Sequence, residues 1–364
     1  MDGPRAPHAV EFPEVLNFFN RQLRPESQWT VDEEYPLVLS PQKLSNVRII
    51  KQNGQYLSGA VIKCFPVKTV AGLFKVAGLG NVVTDPAHRE QGLSRSVIND
   101  LLETAQFAAC DFAILWSDLH DFYRKLGFEL AGTEVCLRLE NEWESPSNLK
   151  FIESSHVSPE AINRIYNQHT CGAIRTAEDI RKSLKIPNAK VYTAWDQNSN
   201  LQAYAIEGKG ADLNACIHEW GGAVSRLIPL LAFIRKSQQR PLTLLAPKSA
   251  QNLKRQLEEQ AHCNVHEGVL GMIKILNYNI FYSKIRRYAR SLGFDNFVLE
   301  HQNNISYFGI EGQALFKTDQ PSDMVRLIFG PQNAQELHSF DSKSSECLQS
   351  IFPIPFWLWG WDSV

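Results

Sequence analysis

Apolar and polar positions along the chain change period in an order that is used twice. Residues 47–51 read as a strand, and Asn53-Gly54 behind them signals a hairpin, because both central positions of a type I′ turn need positive φ. A second strand is predicted over 56–65, and a third runs through Leu79 to Val83 and stops at Asp85-Pro86. From Leu93 the period lengthens: Val97, Ile98, Leu101, Leu102, Ala105 and Ala108 recur at helical spacing. Residues 112–116 form a short run of the buried-strand type, and a helix over 120–126 stops at Gly127. Hairpin, strand, helix, strand, helix, strand is the resulting order, after a polar opening segment.

A stretch rich in Ser, Pro and Asn (141–148) separates this unit from the next. Strands are predicted at 189–195, 201–207 and 213–220, a helix at 223–236, a strand at 241–246, a helix at 251–260 and a final strand at 269–276. The layout repeats although the residues do not, so the expectation is a second copy of one α/β unit. From Asn277 the punctuation differs, with helices at 280–292 and 323–329 stopped by Gly293 and Gly330. The expected fold is therefore α/β with mixed central sheets, divided at 1–142, 150–276 and 277–364.

Composition narrows the partners. The 364 residues carry a net charge of −2, and 44% are hydrophobic against 21% charged. That is the balance of a soluble globular protein, without the basic excess that nucleic acid or an anionic membrane would call for. Seven scattered cysteines with no Cys-x-x-Cys pair argue against a zinc ribbon or a disulfide framework and for reduced thiols in a cytoplasm. The N-terminus lacks the layout of a signal peptide, and the apolar run 351–361 is too short to span a bilayer and is broken by Pro353 and Pro355. His262 and His266 have the i, i+4 spacing of a helical metal pair, but Gly268 closes the segment and no further ligand is spaced for it, so no metal is expected.

The candidate chemistry sits where strand gives way to helix, in Val82-Val83-Thr84, then Arg89-Glu90-Gln91-Gly92-Leu93-Ser94-Arg95. Unpaired N–H groups and the dipole at a helix start favour an anion. Gly92 lets the backbone approach a pyrophosphate, and Arg89 and Arg95 add charged donors. The strand end at 82–84 offers backbone groups to an amide-bearing arm. Those features describe a place to hold coenzyme A; the bland alternative is an ordinary capped turn.

This segment resembles the acetyl-CoA loop of the GNAT superfamily of acetyltransferases, Arg/Gln-x-x-Gly-x-Gly/Ala, with Ser94 departing at the last position. Arg-x-x-Gly-Leu-x-Arg after Pro-x-His is similar to the variant in the Eis-like (enhanced intracellular survival) acetyltransferases. Phe122-Tyr123-Arg124-Lys125-Leu126-Gly127-Phe128 resembles the superfamily's Tyr-x-x-x-Gly-Phe segment, which implies Tyr123 as the general acid for the departing thiolate. A core aromatic between Phe122 and Phe128 is the competing reading. The closing Phe352-Pro353 to Trp361-Asp362-Ser363-Val364 is similar to the Eis-like tail, whose terminal carboxylate is thought to accept the amine proton. Val364 stands where that family commonly ends in an aromatic residue; Asp362 as the base, a tail that merely completes a core, and an interfacial membrane anchor, for which no basic cluster flanks the tail, are the alternatives.

The resemblance implies an active acetyltransferase domain, a degenerate one and a sterol-carrier-like C-terminal domain. It also implies acetyl-CoA as cosubstrate, a primary amine as acceptor and possible homo-oligomers. Glu219-Trp220-Gly221-Gly222 replaces the arginine loop in the second copy, and an acidic residue there is expected to repel a pyrophosphate. Two rivals differ in class: an aminoacyl-type transferase with tandem domains, and a non-catalytic module binding acetyl-CoA or a lipid-like ligand.

Overall fold

The computed structural model describes residues 1–313, 315–337 and 340–364. Its first sheet runs in the order Asp2–Arg5, Val47–Gln52, Gln55–Thr69, Gly72–Thr84, Phe112–Leu115, Gly271–Ile275, Glu129–Ala131. The second runs Cys263–Gly268, Glu134–Leu139, Leu242–Pro247, Asp212–Gly222, Leu201–Lys209, Lys190–Trp195, Lys150–Glu153. Each sheet is antiparallel except at one place. Gly72–Thr84 lies parallel to Phe112–Leu115, and Asp212–Gly222 parallel to Leu242–Pro247. A 15-residue helix makes each crossover, Leu93–Phe107 in the first unit and Val224–Gln238 in the second. The repeat read from the pattern of elements is therefore a repeat of topology.

The two units exchange strands. The segment expected to finish the second copy, 269–276, supplies Gly271–Ile275 to the first sheet, between Phe112–Leu115 and Glu129–Ala131. In return Glu134–Leu139, from the end of the first unit, enters the second sheet between Leu242–Pro247 and Cys263–Gly268. Alternation identifies a strand but not the sheet that receives it. One apolar core consequently runs from Phe74 and Phe112 through Leu137 and Leu244 to Trp359.

The opening segment also departs from expectation. It holds the helix Phe12–Leu23, which buries Phe12, Val15, Phe18 and Phe19 on one face against the first sheet. Residues 278–364 contribute the helix Tyr278–Ser291, a three-stranded sheet (Phe297–Gln302, Ile305–Ile310, Phe316–Thr318) and the helix Pro321–Phe329. The last residues then thread into the interior as an apolar tail, with Trp359 only 1% exposed. Among the described residues no helix is long and apolar enough to cross a membrane.

Candidate active site

The parallel pair in the first sheet is joined only over Val76–Gly78, opposite Phe112–Ile114. Beyond Gly78 the strands part, and the register of Gly72–Thr84 against its other neighbour shifts between Gly59 and Val61. Asn81 sits within that bulge at φ 50°. Its amide Nδ2 is buried without a partner among the described residues. A bulge turns a strand locally and frees part of its edge. Here it opens a cleft of about 800 Å³ lined by Gln22, Val82 to Thr84, the arginine–glycine loop and Tyr123.

Local chemistry shapes the loop. Asp85 accepts from the Ala87 N–H (3.0 Å) and sets a short turn behind Pro86. Gly92 caps the helix Leu93–Phe107 at φ 76°, and a Cβ there would meet no atom within 4 Å because it would point into open space. The first bond of that helix end runs from the Ser96 N–H to the Gly92 carbonyl (3.1 Å), so the preceding N–H groups lie ahead of the helical ladder. Thr84 bridges the Ser58 hydroxyl (2.9 Å) and the Ser94 hydroxyl (3.2 Å), which ties strand end to helix start.

Val82, Val83, Thr84, Arg89, Glu90, Gly92, Ser94, Arg95 and Tyr123 line this one cleft. Gln91 is exposed outside its lining, and Leu93 turns inward to pack with Val97 and Leu101. Those two belong to the loop as backbone. Tyr123 is 6% exposed, edge-on to Phe122 (5.0 Å) and Phe128 (6.0 Å). Burial pushes its hydroxyl up to about 12, against a hydrogen bond with Ser117, so it holds its proton at neutral pH.

The tail reaches the same strand from the other side. A Cβ on Gly80 would lie 2.1 Å from the Val364 carbonyl oxygen, and one on Gly78 would lie 2.9 Å from a Val364 methyl. Val364 thus fills the space that two glycines leave, its carboxyl at Gly80 and its side chain at Gly78, two residues before the cleft wall begins at Val82. Val364 also borders a second pocket of about 360 Å³ with Tyr35, Trp116, Glu134, Asp212 and His218. Burial pushes Glu134 up to about 7 and His218 down to about 4, leaving a neutral imidazole at neutral pH.

Asp362 is fully engaged. Arg175 donates to both of its oxygens (2.9 and 2.8 Å) and to both oxygens of Glu219 (2.7 and 3.1 Å), with all three side chains buried. Tyr204 donates to Glu219 (3.2 Å), and the guanidinium lies 4.1 Å over the Tyr166 ring. Glu219 therefore faces Arg175 and, through it, the tail.

Residues 5–131 match the family described as acetyltransferase (GNAT) domain. The chain carries a GNAT acetyltransferase domain. No curated protein matches it in sequence. Among solved structures it is similar to a GCN5-related N-acetyltransferase from Anabaena variabilis, at 14% identity over 97% of this chain and 98% of that one, with a TM-score of 0.67. A probable N-acyltransferase from Enterococcus faecalis gives 14%, 98%, 97% and 0.66 on the same measures. Eis1 from Mycobacterium abscessus gives 11%, 98%, 98% and 0.65. At these identities the likeness is one of fold. It covers nearly the whole chain, the C-terminal part included.

Several residues of the cleft and of the tail's surroundings lie outside the motifs. Gln22 and Leu23 come from the overlooked first helix, whose Phe12, Val15, Phe18 and Phe19 spacing was a readable signal. Arg175 and Lys209, which hold the tail, carried no local signal at all: their partners lie 187 and 154 positions away. His262 ends the helix Gln251–Ala261 and His266 lies on the following strand, so they do not share a helix face.

Proposed function

We propose that this GNAT-domain protein is an acetyl-CoA-dependent N-acetyltransferase acting on a primary amine by direct attack, and that it is of the Eis-like kind with a sterol-carrier-like C-terminal domain. The observation that carries the reading is a single cleft joining an arginine–glycine helix start to a buried tyrosine at a parted pair of parallel strands. The fit to a coenzyme is physical: Gly92 leaves open space, and Arg89 and Arg95 flank a helix start that favours phosphate. Acetyl-coenzyme A brings a thioester carbonyl that an amine can attack.

In this reading the edge from Val82 to Thr84 pairs with the pantetheine arm, while Arg89, Gly92, Ser94 and Arg95 hold the pyrophosphate. The Val364 carboxylate takes the proton from the attacking nitrogen as the N–C bond forms, and Tyr123 gives its proton to the sulfur as the C–S bond breaks. A phenol at about 12 is a poor acid for a solvated thiol of about 8.5, but burial raises thiols too. Exclusion of water from around the coenzyme sulfur narrows that gap and lowers the cost of the transfer. Asp362, held on both oxygens by Arg175, is the weaker candidate for the base.

A screen of primary amines, among them aminoglycosides and polyamines, with thiol release from acetyl-CoA and mass spectrometry of the product, tests the proposal. Equal amounts of free thiol and N-acetylated amine are expected. Thiol release without acetylated amine, or neither across the panel, overturns it.

A further inference from the structure

The tail ends in a turn, Gly360–Asp362, and what holds that turn comes from the second unit. Lys209, at the end of the strand Leu201–Lys209, is only 2% exposed. Its ammonium donates to the Gly360 carbonyl (3.1 Å), the Ser363 carbonyl (2.6 Å) and the Ser363 hydroxyl (2.9 Å). An ammonium has three donors, and all three go to the last five residues of the chain. The Tyr35 ring lies 4.6 Å beneath it. No carboxylate lies within ion-pair distance of it among the described residues, so this charge is not there to complete a salt bridge. Burying it is expensive, since burial disfavours a charged form that has no direct counter-ion.

We propose that Lys209 is a positioning residue that seats Val364 on Gly78 and Gly80, with its carboxylate at Gly80, by gripping Gly360 and Ser363. This rests on the reading of that carboxylate as the base. It also gives the second unit a role in the reaction without a coenzyme site: Arg175 fixes Asp362, and Lys209 fixes the residues on either side of it. Strand register adds a second ammonium to the surroundings. Lys63 is opposite Gly78 in the strand pairing and so projects to the same face as the seat. Other charged or titratable groups that act on Lys209 or lie by this turn are Asp212, Asp362, Glu34, Tyr35 and His218. Burial pushes Lys209 down to about 7, with Asp212 opposing, so its third donor is present in full only below neutral pH.

Lys209→Met keeps the length of the side chain and removes a buried charge, so the fold is expected to survive; Lys209→Gln retains two N–H donors on a shorter, neutral side chain. Carboxypeptidase treatment of the full chain, followed by intact mass, reads the seat independently of activity. Both variants should lose Val364 at least about tenfold faster than the unchanged chain, with melting temperature maintained. Their kcat, measured with the amine the unchanged chain acetylates fastest, should fall by about tenfold or more while KM for acetyl-CoA stays the same. Unchanged release of Val364 in both variants overturns the role of Lys209 and leaves the terminal base standing. Faster release with unchanged kcat overturns the base reading instead. A parallel loss of kcat, acetyl-CoA affinity and melting temperature reduces Lys209 to a support of the fold and overturns the proposal.

Discussion

Gly80→Ala adds one methyl group where the terminal carboxyl now sits. The new Cβ would lie 2.1 Å from the Val364 oxygen and 2.4 Å from its carboxyl carbon, whereas real Cβ contacts essentially never fall below 3.0 Å. At Gly80 the strand is paired with Val61, and two residues earlier Gly78 is still held by Ile114 on its other side, so the chain end is the freer partner and must move. Reaching an ordinary contact takes a retreat of roughly 1 Å, and a misplacement of that size can cost about 10² in rate. Gly80 has no left-handed φ to lose, so alanine introduces no backbone strain. Gly268→Ala is the matched control, a strand glycine whose Cβ would meet nothing within 4 Å. Steady-state kinetics should show kcat down by about 10² in Gly80→Ala and unchanged in the control, with acetyl-CoA affinity by calorimetry within a few-fold of normal in both. A kcat within threefold of the unchanged chain would refute the reasoning, because it would mean that the carboxyl can leave its seat without consequence.

Three further outcomes follow from the same geometry. Tyr123→Phe removes the acid but keeps the ring between Phe122 and Phe128, so kcat should fall by about 10² or more with little change in melting temperature; normal kcat would make Tyr123 a core aromatic. Arg175→Ala leaves Glu219 and Asp362 buried without their cation and should destabilise the fold by about 3–5 kcal/mol in urea unfolding, and a loss under about 1 kcal/mol would contradict it. His218 is held near 4 in the fold and titrates near 6.5 when unfolded, so the stability tied to its neutral form is present in full above about 6.5 and is lost as pH falls through 4. The stability difference between the unchanged chain and His218→Gln should therefore shrink by up to roughly 3 kcal/mol from pH 7 to 4. Glu134, raised to about 7, works in the opposite direction but is present in both chains and cancels. A pH-independent difference would refute the assignment.

Local patterns made much of the fold legible. Helical spacing from Leu93, the Asn53-Gly54 turn and the Gly127 stop each mark an element that the structure contains, the helix Leu93–Phe107 ending one residue before the expected Ala108. The strand exchange was not legible, because Val135, Leu137 and Leu139 alternate identically whichever sheet accepts them. The same division holds at the site. The loop from Arg89 to Arg95 and the Tyr123 segment are contiguous, so spacing alone brings their residues forward. The tail's seat joins Gly78, Gly80, Arg175, Lys209 and Val364 across nearly 290 positions, and only packing shows that two unremarkable glycines leave room for a chain end.

The central claim, that one coenzyme is held by the first unit at the Arg89–Arg95 loop, is tested most directly by calorimetric titration with acetyl-CoA of the unchanged chain and of Gly92→Glu. Glutamate would place a Cβ and an anion where the backbone must approach phosphate, at a position whose φ of 76° already disfavours a side chain. One molecule should bind per unchanged chain, and binding should vanish in the variant while its circular dichroism stays the same. Two molecules per chain, or equal affinity in Gly92→Glu, would contradict the account.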